Sequence, residues 1–165
     1  MKKAKRGNIE ISFGMMFSII LIIAFIAVAG FAIMKFLSIK DCAMIGIFKE
    51  ELKKEIDIAW KGQEKSSVFE SNLPSGIKEV CFVDFSKSGN NNIEQYNKAK
   101  KYEHLNFNMF FSPYDGICPD LGSFYIEHID IGKITSTKNP YCIKNKGKIK
   151  LKIEKSFGDI LVGIK

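Results

Sequence analysis

From Ile11 to Met34 the chain carries no charged residue, a run of 24 positions. As a helix this run would be about 36 Å long, against about 30 Å for the hydrocarbon core of a bilayer. It is long enough to span with some tilt. The apolar core of a secretory signal covers only about 7–15 residues and ends at an Ala-x-Ala box. The run here is longer and lacks that box, so a retained membrane helix is expected. No proline occurs before Pro74, and nothing forbids one helix from about Ile9 to Gly62. Beyond the apolar run, Ile45, Phe48, Leu52, Ile56 and Ala59 recur at intervals of three and four, which places them on one helical face. Lys49, Glu50, Lys53, Lys54 and Asp57 fall largely elsewhere, with Glu50 and Lys54 in the favourable i, i+4 order. The outer half of the helix is therefore amphipathic and needs a partner for its stripe. Gly14, Gly30 and Gly46 each cost about 1 kcal/mol relative to alanine in a helix interior and are candidate bend points. Gly62 is a natural stop, and Trp60 is expected to pack under the sheet that follows.

After the helix the pattern changes. Residues 73–85, LPSGIKEVCFVDF, read as a turn leading into a strand. Residues 86–92, SKSGNNN, read as a polar loop. Asn92 with Gln95 three positions on resembles a helix-start box, and a short helix over 93–105 should follow. Residues 106–111 and 123–131 read as strands on either side of a long turn region, 112–122. Residues 140–154 read as a hairpin around Asn145–Gly147, its second arm alternating Ile149, Leu151 and Ile153 with Lys148, Lys150 and Lys152. Residues 159–164 can add a last strand. The predicted class is α+β: a long N-terminal helix, membrane-spanning and then amphipathic, packed on an antiparallel sheet with one buried face. The division is a basic cytoplasmic leader over 1–7, a transmembrane helix over 8–40, and an extracytoplasmic α+β domain over 41–165 that begins with the end of the helix.

The net charge of +7 looks like a nucleic-acid signal until it is partitioned. Residues 1–37 hold five cations, Lys2, Lys3, Lys5, Arg6 and Lys35, against Glu10, which leaves +3 for the other 128 residues. That is a nearly balanced surface, so no nucleic-acid partner is expected. A short basic tail resists translocation, so the N-terminus belongs in the cytoplasm and the large C-terminal part outside. The same tail can hold anionic lipid headgroups. Cys42, Cys81, Cys118 and Cys142 all lie beyond the apolar run. An even number in an exported domain predicts two disulfides in one of three connectivities; Cys81 with Cys142 is preferred because both fall in predicted strands. A zinc site would use close cysteine pairs, which the sequence lacks, and no metal or other cofactor is expected.

Candidate chemistry is sparse. His104 and His128 stand outside any metal-binding spacing. A histidine acting with Asp130 or Ser123 rests on proximity alone, and Glu127 with Asp130 is a carboxylate pair only by adjacency. No catalytic residue is assigned and no enzymatic activity is expected. Phe107, Phe110, Phe111 and Tyr114 could form a stacking platform for a base or sugar, but their neighbours are not basic and core packing is the better reading.

The order of features — basic tail, glycine, short polar step with an acid, long apolar helix, amphipathic continuation, sheet — resembles type IV pilin-like proteins, especially those of archaea, with their class III signal peptides. The resemblance covers residues 2–60 in pattern and the sheet only in general type. It implies that a prepilin-type peptidase cuts on the cytoplasmic side after the small residue that follows the cations, here the Gly7–Asn8 bond. It also implies that the mature helix packs with further copies, or with other pilin-like subunits, in a filament core. Glu10 would then sit at the third mature position, whereas the family usually carries its acid at the fifth, here Ser12. An acid at the membrane edge needs a partner, and a neighbouring subunit's N-terminal amine is one. Ala24, Ala27, Ala29, Gly30 and Ala32 allow close helix approach. The reading is a structural pilin-like subunit of a surface filament or envelope machine. The alternative is a single-pass anchor displaying a disulfide-stapled ectodomain that binds an envelope or cell-surface partner.

Overall fold

The computed structural model describes residues 13–114, 118 and 121–165. The chain divides between Ser38 and Ile39 into two compact units. Helix α1 runs over Phe13–Lys61, and no extended linker separates Leu37 from Ile45. Residues 8–12 of the predicted helix lie outside the described residues. Gly62 ends α1, its N–H donating to the Ile58 carbonyl at 3.2 Å.

The second unit, Ile39–Lys165, is α+β. Its strands are β1 (Lys65–Asn72), β2 (Glu79–Phe82), β3 (Met109–Ser112), β4 (Ser123–Phe124), β5 (Tyr141–Lys144), β6 (Lys148–Lys155) and β7 (Gly163–Ile164). Between them lie α2 (Ile93–Lys100), a 3-10 turn at Glu103–Leu105 and α3 (Ile131–Ile134). The predicted single sheet is two antiparallel sheets. The first has order β1-β6-β7 and the second β4-β3-β2-β5.

The stripe read from the sequence is the buried one. Ile45, Phe48, Leu52, Ile56 and Ala59 are all buried and meet the inner faces of both sheets in one core. Phe48 is the hub: its ring centroid lies 5.6 Å from Phe69 of the first sheet and 5.7 Å from Phe111 of the second. A smaller core lies on the other face of the second sheet, where Tyr96 and Ala99 of α2 cover Cys81, Val83, Phe107 and Phe110. The second sheet is thus covered on both faces, which is why β2 and β3 read as continuous apolar runs rather than as alternation.

Four sequence expectations change. β1 is an addition to the expected strands: in KSSVFESN only Phe69 is buried and its apolar neighbour Val68 is exposed, so no alternation marks it. It nevertheless pairs with β6 over eight positions, Lys65 opposite Lys155 through Asn72 opposite Lys148. Residues 140–154 do not form a hairpin, because β5 pairs with β2 while β6 lies between β1 and β7. Asn145 fixes this divergence. Its amide donates to the carbonyls of Pro74 at 3.1 Å and Ile77 at 2.8 Å, and its Oδ1 accepts from Gly147 N–H. Gly147 adopts φ +91°, a region that glycine enters at little cost.

The strand expected over 123–131 stops after Phe124. Asn108, just before β3, takes over the ladder with its side chain: Nδ2 donates to Ile126 O and Oδ1 accepts from Ile126 N, both at 2.8 Å. His128 then turns the chain with φ 65°, and Asp130 caps α3 by accepting from Lys133 N–H at 2.8 Å. The box expected at Asn92 and Gln95 does not form. Asn92 has left-handed backbone (φ 46°) and makes no side-chain cap bond, since a capping side chain needs an extended backbone there.

Candidate functional site

Every residue of α1 from Phe13 to Lys40 is exposed. Phe25 is 70% exposed, Ile26 67% and Phe36 69%. Soluble monomers rarely expose apolar patches beyond a few hundred Å², and Phe13–Met34 carries no charge on any side. By length and composition it can cross a membrane. Its polar groups suit that medium. Ser18 Oγ donates to the Gly14 carbonyl at 2.8 Å, which satisfies the hydroxyl within the helix. Lys35 lies with Nζ 5.7 Å from the Phe31 ring centroid, and a long lysine stem can carry its charge toward an interface. A methyl group built at Gly30 would meet nothing within 4 Å, so this surface is open to a neighbouring helix. Gly7, Asn8 and Glu10 lie outside the described residues.

Within the second unit, Cys42 is bonded to Cys118, with Cα atoms 5.7 Å apart, and Cys81 to Cys142, with Cα atoms 4.0 Å apart. The first bond ties α1 to the segment between β3 and β4. The second joins residues directly opposite on β2 and β5. Two disulfides are the chemistry of an oxidising compartment. Among the described residues, the cluster dense enough to hold a cation is Glu79 with Cys81 and Cys142. Its two sulfurs are already bonded to each other and are not thiolate ligands.

The residues considered for catalysis are not assembled. His128 stacks on Trp60 at 3.7 Å between centroids and 5° between planes, with Nε2 3.7 Å from Glu127 Oε2. Asp130 is engaged as the α3 cap, and Ser123 Oγ pairs with the Tyr114 hydroxyl at 3.2 Å. Trp60 therefore sits at the surface against His128, 37% exposed, and not under a sheet. The aromatic cluster is core: Phe107 and Phe110 lie beneath α2 and Phe111 faces α1.

Several residues that hold the unit together escaped the sequence reading. Lys155 continues the inward row Ile149, Leu151, Ile153 and is buried. Its Nζ donates to the carbonyls of Trp60 at 2.5 Å and Gly62 at 2.8 Å, where a cation meets the negative end of the helix. A lysine on the apolar face of an alternating strand was the available signal. Asn139, 1% exposed, organises the 84–91 loop: Oδ1 accepts from Asp84 N–H at 3.1 Å and Nδ2 donates to Asp84 O at 2.8 Å. Nothing local in the sequence marks it. Asp84 is pushed up by burial, but the Ser86 hydroxyl and N–H and the Lys87 ammonium outweigh this and hold it below its ordinary value.

The outer face of β6 is a charge ladder. Glu70 lies between Lys148 at 2.9 Å and Lys150 at 2.5 Å, and hydrogen bonds from Lys150 and Lys148 lower it from 4.5 to about 2. Glu154, bonded by Lys152 and Lys165, is lowered in the same way to about 2. The chain matches no family model, no curated protein and no solved structure.

Proposed function

We propose that the protein is a structural, pilin-like subunit, inserted in the cell membrane and assembled through α1 with further copies or related subunits into a surface filament or envelope machine. The carrying observation is the change of environment along one helix. Phe13–Met34 is uncharged and wholly exposed, while from Ile45 onward a single stripe is buried beneath two sheets. The first part asks for lipid or other helices and the second for its own domain. The sequence adds Lys2, Lys3, Lys5 and Arg6 ahead of Gly7, the order a prepilin-type peptidase requires. In this reading the tail lies in the cytoplasm and the disulfide-bonded unit outside.

Cleavage at Gly7 governs assembly. Moving one cation to the bilayer centre costs at least about 2.5–3.5 kcal/mol, so an uncut tail holds the helix in the membrane. Shearing of native cells tests this. Wild-type protein is expected in a sedimentable polymer, and Gly7→Leu in the membrane fraction as a monomer or small oligomer. A wild-type protein never released as polymer would favour the anchored binding ectodomain instead.

A further inference from the structure

The two-residue period of a strand places Glu79 of β2 on the same face as Cys81, the face covered by α2. Its cross-strand neighbours are Ser112 on β3 and Lys144 on β5. Here, past the row formed by Phe110, Cys81 and Cys142, α2 no longer seals the sheet, and an open cleft of about 430 Å³ remains. That is within the size range of small-ligand sites, about 300–1,000 Å³. Lys78 and Lys146 stand at its rim with Lys144. All three lysines are exposed, and among the described residues none forms an ion pair or a side-chain hydrogen bond. The frame beneath them is fixed. Lys78 N–H donates to Ser112 O at 2.7 Å, Asn145 N–H donates to Lys78 O at 2.8 Å, and the Asn145 amide clamps the 74–77 turn. Gln95 of α2 also lines the cleft, its Oε1 sealed from solvent and without a hydrogen-bond partner among the described residues.

We propose that this cleft binds an acidic sugar, a uronate or similar hydroxyl-rich residue carrying a negative charge, within a surface polysaccharide. Three unpaired ammonium groups around one cleft call for an anion. The other polar groups call for hydroxyls: the Glu79 carboxylate accepts O–H donors, and Ser112 can give or take one. The carboxylate also repels a compact multivalent anion more strongly than a singly charged sugar residue. This site lies wholly within Ile39–Lys165 and does not depend on whether the protein assembles into filaments.

The test is calorimetric titration of the detergent-solubilised full chain with tetragalacturonic acid, a neutral hexose tetrasaccharide and inorganic phosphate. The acidic oligosaccharide is expected to bind, and the neutral one is not. Lys144→Ala is expected to weaken binding about tenfold or more, the scale of one charge-assisted hydrogen bond. Lys138→Ala, which removes the same charge from the loop at the opposite end of β5, should leave binding within about twofold of wild type. Glu79→Gln, which removes the carboxylate's repulsion, should narrow the preference for the sugar over phosphate, and an unchanged preference overturns the role given to Glu79. No binding of the acidic oligosaccharide at millimolar concentration overturns the proposal, as does equal loss in Lys144→Ala and Lys138→Ala. Phosphate binding as tightly as the oligosaccharide overturns the sugar assignment.

Discussion

Lys155 shows how one residue can join a sheet to a helix. Its backbone belongs to β6, its stem lies in the core row, and its ammonium closes the last carbonyls of α1. Lys155→Met keeps the stem and removes the donors, leaving two part-buried carbonyls unpaired. We expect a loss of about 1–3 kcal/mol, read from the denaturant midpoint of the detergent-solubilised chain. The acids of the outer ladder carry a different signature. Glu70 and Glu154 have folded values near 2, below the ordinary 4.5. Depressed values mean stability that is present above about pH 4.5 and is lost as pH falls toward 2. Both acids are on the surface and screened. Thermal melts between pH 5 and pH 2 should therefore show an acid-induced decline that shrinks in Glu70→Gln and at high salt. A decline of the same size in wild type and Glu70→Gln would remove Glu70 as its source.

At the scale of elements, legibility followed the strength of the local pattern. The stripe on α1 was readable residue by residue, because five positions repeat one period and the facing sheets bury those five. β6 was readable because three apolar residues alternate with three lysines. β1 was not, since its pairing is dictated by β6 and its two apolar residues, Val68 and Phe69, are adjacent and so fall on opposite faces. The end of the 123–131 strand was hidden because Asn108 replaces backbone by side chain at a position that carries no turn signal. The β5–β6 turn was seen, but its outcome was not: whether two arms pair or diverge depends on Asn145 reaching Pro74 and Ile77, about 70 residues away in sequence. The lysine cleft shares that limit, since Lys78, Gln95 and Lys144 meet only through the register of β2 with β5 and the placement of α2. The helix stripe gives a direct check. Leu52→Ala, at a fully buried position, should cost about 2–5 kcal/mol, whereas Lys54→Ala on the exposed side should change stability by less than about 0.5 kcal/mol.

On the scale of the whole molecule, the two disulfides close loops of similar length, with sequence separations of 76 for Cys42–Cys118 and 61 for Cys81–Cys142. Loop length alone separates their contributions by only about 0.2 kcal/mol. Removing either pair by double alanine substitution should cost about 2–4 kcal/mol, measured by unfolding under non-reducing conditions. Mass spectrometry of the unreduced protein should find no free thiol. Four free thiols in protein taken from its native membrane would contradict both the pairing and an oxidising location for the domain.

The proposed filament requires that residues 1–7 are removed so that α1 can leave the lipid for a helix assembly. The N-terminal sequence of the protein isolated from its native membrane tests it most directly. A mature chain beginning at Asn8, with Glu10 at the third position, is expected, and a Gly7→Leu chain should still begin at Met1. Native protein that keeps Met1–Gly7 while functioning at the cell surface would rule out release from the membrane and leave a single-pass anchor bearing a disulfide-bonded binding domain.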